Sequence, residues 1–310
     1  MAKRIIWDCD TGHEDAIALS LALSSDQIDI IGITAVMGGM PVDNVAFNTL
    51  RVLAMMNKSI PVAKGAARPI ARSLSFGGMG DTFGMDALPP AKANPSPMSA
   101  LELQKMLLKD SVGKVTLLCT GPLTNIALLM LDAPGLVREK VEEIIALGGA
   151  VDGGNITHSA EYNFYTDPEA AKIVFAFGVP VTMCGLDACR SAYITKKQHK
   201  HILSKIDTPR GRLCARVVSA YLGGEESAYL CDALAPLLLI DPSLFKTAKA
   251  AIEVETSSDL CDGVTVCRVE GTYHAGDVPR PHTVVLDVDR ARYFELLVSL
   301  LGGMSQEEGK

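Results

Sequence analysis

The sequence predicts an α/β fold in which helices cover both faces of an open, mostly parallel sheet. Short apolar runs of strand length alternate with helical segments through the first half of the chain, which is typical of βαβ units. Nearly every such run ends in glycine or polar residues, as a strand entering a loop does. The 310 residues are 48% hydrophobic, so a substantial core is available.

Strands are expected where apolar residues run together between breaks made by glycine, proline or polar residues. The predicted strands are 4–7, 28–36, 60–62, 115–119, 143–147 and 179–184, and then 252–255, 264–269 and 283–288. Helices are expected where Ala, Leu and Ile recur without such breaks. The predicted helices are 15–23, 42–56, 101–108, 124–131 and 168–177, and then 195–222, 233–239 and 290–301.

This order of elements resembles a Rossmann-like sheet with extra helices and strands toward the C-terminus. Residues 73–97 are rich in glycine and proline and are expected to form a long surface loop. No linker divides the chain, so residues 1–310 are expected to form a single domain.

Composition limits the classes of partner. The 29 basic and 36 acidic residues give a net charge of −7, which argues against a nucleic acid as the main partner. No apolar run approaches 18 residues, so we expect neither a transmembrane helix nor a membrane partner. The eight cysteines include no CxxC pair, which favours a reducing compartment and predicts a cytoplasmic protein.

The strongest chemical signal is a group of four acids directly after the first predicted strand: Asp8, Asp10, Glu14 and Asp15. In open parallel sheets, ligands bind outside the carboxyl ends of the strands. Carboxylates this close repel one another, and a hard cation such as Ca²⁺ or Mg²⁺ relieves that repulsion. Glu14 and Asp15 have a simpler interpretation as well, because acids favour the first turn of a helix.

Two families place acids in such a segment. The run Asp8-Cys9-Asp10-Thr11 resembles the DxDxT motif of the haloacid dehalogenase phosphotransferases, but the late acidic pair of that family is missing here. The longer run Asp8-Cys9-Asp10-Thr11-Gly12-His13-Glu14-Asp15-Ala16 resembles the DxDPGxDDA signature of the nucleoside hydrolases of the inosine-uridine-preferring type.

The second resemblance continues in order along nearly the whole chain. Its further motifs are 32–38, Gly121-Pro122-Leu123-Thr124-Asn125-Ile126-Ala127, Leu147-Gly148-Gly149, Gly154-Asn155, Ala160-Glu161-Tyr162-Asn163, 167–171, 184–187 and Asp232-Ala233. The resemblance implies a ribonucleoside hydrolase that uses water to cleave a nucleoside to ribose and free base, in nucleobase salvage. It also implies a small-molecule nucleoside substrate and a homodimer or homotetramer.

The resemblance implies a single Ca²⁺ held by Asp10, Asp15, Asp232 and the main-chain carbonyl of Thr124. The ion would also bind the two ribose hydroxyls and a water, whose pKa it would lower. Asp10 is then the expected general base.

By the same resemblance, five residues bind the substrate: Glu14, Asn155, Glu161, Asn163 and Cys231. Glu161 and Asn163 alternate around Tyr162, so in an extended segment they would point the same way. Asp8 is expected to shape its loop by accepting backbone hydrogen bonds.

The chain departs from the family pattern at four positions. Glu14 replaces Asp, Gly39 replaces Asn, Met79 replaces His, and Cys231 replaces the His that protonates the leaving base. A thiol is a weak hydrogen-bond donor and an ineffective acid for a nitrogen base. Cys231 is therefore interpreted as a pocket wall, and the other candidates for activating the leaving group are solvent water and Glu225, Glu226, Tyr221, Tyr229 and Asp81.

These departures leave the substrate open between a common ribonucleoside and one with a modified base. A substituted 7-deazapurine is one such base, because a cationic substituent could pair with the acids at 225 and 226. A third hypothesis is a non-hydrolytic nucleoside or ribose sensor on the same fold, which would bind without turnover.

Overall fold

The computed structural model describes residues 2–73, 88–272 and 278–302. Within these ranges nine strands form one sheet and two more form a small separate sheet. The strands are β1 (Lys3–Cys9), β2 (Ile28–Ala35), β3 (Val62–Lys64), β4 (Val115–Cys119), β5 (Val141–Leu147), β6 (Val181–Cys184), β7 (Tyr193–Thr195), β8 (Ser227–Tyr229), β9 (Phe245–Val254), β10 (Thr265–Val269) and β11 (His282–Val288).

The helices fill the connections between these strands. They are α1 (His13–Ala22), α2 (Val42–Met55), α3 (Ala100–Asp110), α4 (Thr124–Asp132), α5 (Pro134–Lys140), α6 (Tyr162–Thr166), α7 (Pro168–Ala176), α8 (Leu186–Cys189), α9 (Lys196–Lys205), α10 (Pro209–Leu222), α11 (Leu234–Ile240) and α12 (Arg290–Leu301).

The nine strands lie in the order β10-β9-β11-β6-β5-β4-β1-β2-β3. From β11 to β3 all neighbours are parallel, whereas β9 runs antiparallel to β11 and to β10. The chain builds outward from β1 to β3 and then returns to place β4 on the other side of β1. The carboxyl ends of β1 and β4 therefore form a topological switch point, where open α/β sheets bind ligands.

Apolar residues cover both faces of the sheet. One large core cluster includes α1, α2, α10, α11 and α12, and the other includes α4, α5 and α7. Every residue of β4 is buried, as a parallel strand covered on both faces requires. An α/β fold with a mostly parallel sheet and helices on both faces is thus confirmed.

The sequence prediction was accurate for the central strands and less so near the C-terminus. Strand β4 and helix α12 begin and end where predicted. Strand β9 begins at Phe245 rather than 252, because its first half pairs with β11 while carrying exposed lysines. The predicted helix 195–222 is two helices, since Thr208 caps a new helix that begins with Pro209.

Of the predicted loop 73–97, residues 88–97 form no helix or strand, and 74–87 lie outside the described residues. Across the described ranges, no helix combines the length and apolarity needed to cross a membrane.

Candidate active site

A cavity lies at the carboxyl edge of the sheet, beside the ends of β1 and β4. Asp10 follows β1 and Thr120 follows β4, and both line it. Eight of the nine residues predicted for the site line this cavity: Asp10, Glu14, Asp15, Asn155, Glu161, Asn163, Cys231 and Asp232. Thr124 is not on the cavity surface; it is buried at the start of α4, and its hydroxyl donates to Asp167 at 2.6 Å.

Three aspartates form what we call the acidic floor of the cavity: Asp10, Asp15 and Asp232. Asp15 lies in the first turn of α1 and its side chain contacts both of the others. It also accepts a hydrogen bond from the Thr120 hydroxyl at 2.5 Å. The sheet and the first helix therefore bring together carboxylates that are far apart in sequence.

Burial is the main cause of a raised pKa at all three aspartates, and repulsion from Asp15 raises the pKa of Asp10 and Asp232 further. Among the described residues that line the cavity there is no Lys or Arg to balance this charge. Oxygen ligands with uncompensated negative charge fit a hard divalent cation such as Ca²⁺. No group of three acidic, His or Cys side chains in the described part of the chain is arranged, as it stands, to hold an ion. The fit therefore rests on the chemistry of the donors.

Glycines create the space for the Asp10 carboxylate. A Cβ atom built on Gly38 would overlap that carboxylate, and one on Gly121 would lie 2.9 Å from Asp10 Oδ1. The Gly39 amide donates to Asp10 as well. Side chains at 38 or 121 would displace the carboxylate that the sequence predicts as general base.

Glu161 and Asn163 lie beside each other at the start of α6, and the segment is not extended. Glu161 caps the helix, and its carboxylate accepts from the amides of Gly149, Asn163 and Phe164 at 2.9 to 3.2 Å. Burial raises its pKa to about 7. The side-chain nitrogen of Asn163, Nδ2, donates to the main-chain carbonyls of Thr120 and Leu147 at 3.0 Å each. These bonds connect the site to the ends of β4 and β5. The condition of an extended segment is not met, since Asn163 lies in a helix, yet both residues reach the cavity.

Gly149 has φ +69°, and a Cβ there would collide with Phe164. This left-handed conformation aims its amide at Glu161, so the Gly148-Gly149 motif places the carboxylate. Asn155 lies at the exposed mouth of the cavity, and its Oδ1 accepts from the Tyr162 amide at 2.9 Å.

Both oxygens of Glu14 already have donors within the protein. Oε1 accepts from the Tyr221 hydroxyl at 3.0 Å, and Oε2 accepts from the Cys231 amide at 2.7 Å. The Asp232 amide is a further donor. Burial raises the pKa of Glu14 to about 7 despite these bonds.

Another part of the cavity lining is what we call the thiol–aromatic wall, made of His13, Tyr221, Cys184, Cys189 and Cys231. The rings of His13 and Tyr221 meet edge to face, with centroids 4.9 Å apart. The Cys189 and Cys231 thiols interact, and the pKa of each is raised. Burial lowers the pKa of His13, so this wall carries little charge near neutral pH.

Residues 5–295 match the model of the inosine-uridine preferring nucleoside hydrolases. The chain belongs to this family. A pyrimidine-specific ribonucleoside hydrolase, RihA, from Shewanella sp. (strain MR-4) is 38% identical over 313 residues, which cover 97% of this chain and 96% of the relative. The RihA of Escherichia coli O7:K1 (strain IAI39 / ExPEC) is 38% identical over 312 residues, which cover 97% and 99%.

Solved structures agree with this assignment. A plant nucleoside hydrolase superposes with a TM-score of 0.85 at 27% identity, covering 97% of this chain and 99% of the other. The purine-preferring ribonucleoside hydrolase from Gardnerella vaginalis gives 0.85 at 26% identity, covering 96% and 98%. The protein is thus a ribonucleoside hydrolase, an N-glycosidase of a metal-dependent family, and neither the phosphotransferase nor the sensor hypothesis is favoured.

For this nucleoside hydrolase, the structure separates the candidates for activating the leaving group. Tyr221 lines the cavity. Glu225 does not, and Glu226 is exposed and pairs with Lys196 at 2.7 Å. Tyr229 is 49% exposed and also lies off the cavity. Asp81 and Met79 lie outside the described residues.

The expected role of Asp8 was wrong in one respect. Its Oδ1 accepts from the side chains of Thr34 and Asn125, not from the backbone. Four further residues that line the cavity had no role assigned from the sequence: His13, Thr120, Cys184 and Cys189. Thr120 carried a usable signal, since it is the first polar residue after the buried strand β4.

Proposed function

We propose that this nucleoside hydrolase binds Ca²⁺ at the acidic floor and hydrolyses the N-glycosidic bond of a ribonucleoside, with Asp10 as general base. The observation that carries this proposal is the cluster of Asp10, Asp15 and Asp232 at the switch point of the sheet, with no Lys or Arg among the described residues that line the cavity. Uncompensated carboxylates in a cleft are typical of functional sites.

The three carboxylates of the acidic floor would hold the ion. The family resemblance adds the main-chain carbonyl of Thr124 as a fourth ligand, although Thr124 does not itself line the cavity. When bound, Ca²⁺ supplies Lewis-acid chemistry: it orients the ribose diol and lowers the pKa of water. Asp15 is fixed for this role by the Thr120 hydroxyl and by the Gly12 amide at 3.3 Å. Asp10 is fixed by the glycines that surround it.

The chain's own groups then position the reaction. Asp10 accepts the proton of the attacking water, and the sugar passes through an oxocarbenium-like transition state. Glu161 offers a carboxylate aligned by three main-chain amides to the ribose hydroxyls. Because the Asn163 nitrogen is used by two carbonyls, its sugar contact falls to its Oδ1. Asn155 adds a polar group at the mouth.

The base lies against the thiol–aromatic wall in this proposal. Cys231 is a wall residue and not the acid, and Tyr221 already donates its hydroxyl proton to Glu14. Of the candidates predicted from the sequence and described by the structure, solvent water entering at the mouth then remains for protonating the leaving base.

A pyrimidine ribonucleoside is the substrate that the relatives favour, since proteins 38% identical over nearly the whole chain are named pyrimidine-specific. The motive for a cationic 7-deazapurine is weaker, because Glu225 and Glu226 do not line the cavity. Such a compound belongs in the substrate panel as a comparison.

The test is release of reducing sugar from a panel of ribonucleosides, their 2′-deoxy forms and base-modified analogues, with Ca²⁺ or with chelator. We expect release from uridine and cytidine that chelator abolishes and Ca²⁺ restores. The 2′-deoxy forms should be nearly inert, because the sugar diol is then incomplete. Turnover that persists in chelator, or that ignores the 2′-hydroxyl, contradicts the proposal.

We infer three further properties with the same proposal. Residues 1–310 form one domain, because β1 and β11 belong to a single sheet. The enzyme is a homodimer or homotetramer, which light scattering of the purified protein tests. It works in nucleobase salvage in the cytoplasm, where its eight free cysteines stay reduced.

A further inference from the structure

Glu14 is the departure from the family pattern whose contacts the structure describes most fully. It lies in the first turn of α1, yet its carboxylate joins two distant parts of the chain. Tyr221, near the end of α10, donates to one oxygen, and the amide of Cys231 donates to the other. With the Asp232 amide as a third donor, these contacts fill three of the roughly four acceptor positions of a carboxylate and leave little capacity for a ribose hydroxyl.

We propose that Glu14 is a positioning residue, which holds Tyr221 and the Cys231–Asp232 turn against the start of α1, rather than a ribose ligand. This inference rests on the proposed function, because the turn it holds carries the proposed metal ligand Asp232. An Asp at this position is shorter by one carbon–carbon bond, about 1.5 Å, and would lose its reach to one or both donors. The extra methylene therefore suits the bridging contacts.

The turn has two sets of anchors. Leu230 is held by the Ala192 carbonyl, which accepts from its amide, and by the Tyr293 hydroxyl, which donates to its carbonyl at 3.0 Å. The amides of Cys231 and Asp232 are held by Glu14. Glu14 thus binds the amides of Cys231 and Asp232, which both line the cavity. Tyr293 instead binds Leu230, the preceding residue, which does not line the cavity.

Tyr221 is fixed by the same carboxylate. Its hydroxyl donates to Glu14 and its ring meets His13 edge to face. Loss of Glu14 would free both the ring and the turn. Glu14 therefore links the thiol–aromatic wall to the acidic floor.

The test measures Ca²⁺ binding by calorimetry in the absence of nucleoside. It also measures kcat and KM with the ribonucleoside that the substrate panel identifies. The variants are Glu14→Asp, Glu14→Gln and Tyr221→Phe, and Tyr293→Phe is the matched control that removes a hydroxyl bond to the same turn. Removing a group that orients a metal ligand typically costs 10- to 100-fold in metal affinity or activity. We expect both Glu14 variants to raise the Ca²⁺ Kd about tenfold and to lower kcat while KM changes less than threefold. Tyr293→Phe should leave Kd and kcat within about threefold.

A ribose ligand would behave differently. Glu14→Gln would then raise KM and leave the Ca²⁺ Kd unchanged, and Glu14→Asp would retain wild-type kinetics. Either result overturns the inference.

A second measurement separates this inference from the calcium proposal. In metal-free protein, thermal unfolding of Glu14→Gln, Tyr221→Phe and the double variant gives their coupling. We expect the two changes to be non-additive, because the Tyr221 hydroxyl donates directly to Glu14. If wild type binds no Ca²⁺, the calcium proposal fails, and this coupling still decides whether Glu14 holds Tyr221. Full additivity of Glu14→Gln and Tyr221→Phe overturns the inference.

Discussion

The acidic floor and the thiol–aromatic wall enclose one cavity but are built differently. In the floor, Asp10 follows β1 and Asp15 lies in the first turn of α1, and main-chain amides, glycines and the Thr120 hydroxyl fix these two carboxylates. The third floor residue, Asp232, lies in the turn before α11 beside the wall residue Cys231. Wall residues come from helices α1, α8 and α10, from the end of β6, and from the turn before α11, and they meet through side chains. Main-chain groups therefore fix the carboxylates of the proposed metal site, whereas contacts between side chains form the surface that meets the base. Substitutions in the floor should cost far more than those in the wall.

The largest expected effect is at Asp10. Replacing it with Asn removes the proposed general base and one carboxylate from the ion, so kcat should fall by about 10³-fold or more. The assay is reducing-sugar release at saturating nucleoside. Asp43→Asn is the control, since that exposed carboxylate pairs with Lys64 at 2.6 Å, away from the cavity, and should change little. Activity of Asp10→Asn near the wild-type level would remove Asp10 from the mechanism.

A smaller loss is expected when the carboxylate is displaced and not removed. Gly38→Ala places a methyl group where the Asp10 carboxylate lies, so kcat should fall by roughly 10²-fold through misplacement alone. Gly135→Ala is the matched control, because a Cβ there meets nothing within 4 Å and the site is helical. The free energy of unfolding of Gly135→Ala, measured by chemical unfolding, should rise by about 0.5 kcal/mol at most, because Gly135 lies in the first turn of α5, and activity should be unchanged. Equal activities of the two variants would show that Asp10 tolerates displacement.

The floor and its surroundings also predict a pH dependence. Burial raises the pKa values of Asp8, Glu14 and Glu161 to about 7, so the folded metal-free protein binds more protons than the unfolded chain between about pH 4.5 and 7. Stability then falls as pH rises through this window and levels off above it. Tm in chelator should be higher at pH 5 than at pH 7.5, by roughly 5 °C.

Two further measurements sharpen this result. Asp8→Asn removes one of the titrating groups and should flatten the dependence. Calcium competes with protons for the floor, so its Kd should increase as pH falls below 7. A Tm in chelator that rises steadily from pH 5 to pH 7.5 would show that these carboxyls do not titrate as proposed.

The same division explains what could be predicted from sequence. Asp10 and Asp15 were predictable because they follow a recognisable strand, and the buried strand β4 was predicted to the residue. Periodicity could not show that Asn163 lies in a short helix, because five residues are too few for a helical pattern. It also could not show that Glu14 meets Tyr221, since 207 residues separate them. Contacts between side chains that are far apart in sequence leave no local pattern in the sequence, and most contacts within the thiol–aromatic wall are of this kind.

The smallest effect, and the sharpest comparison, is expected at Cys231. If the thiol only lines the cavity, Cys231→Ala should keep kcat within about threefold of wild type, because no proton passes through the thiol.

Cys231→His introduces a group with a pKa of about 6.5 that can donate a proton near neutral pH. Turnover of nucleosides with poor leaving bases should then rise, by about tenfold at most if other groups already protonate the base. The gain should fade above pH 7 as the imidazole loses its proton, which a pH profile of kcat measures. A large loss in Cys231→Ala would instead place the thiol in the chemistry, and the wall could no longer be separated from the floor.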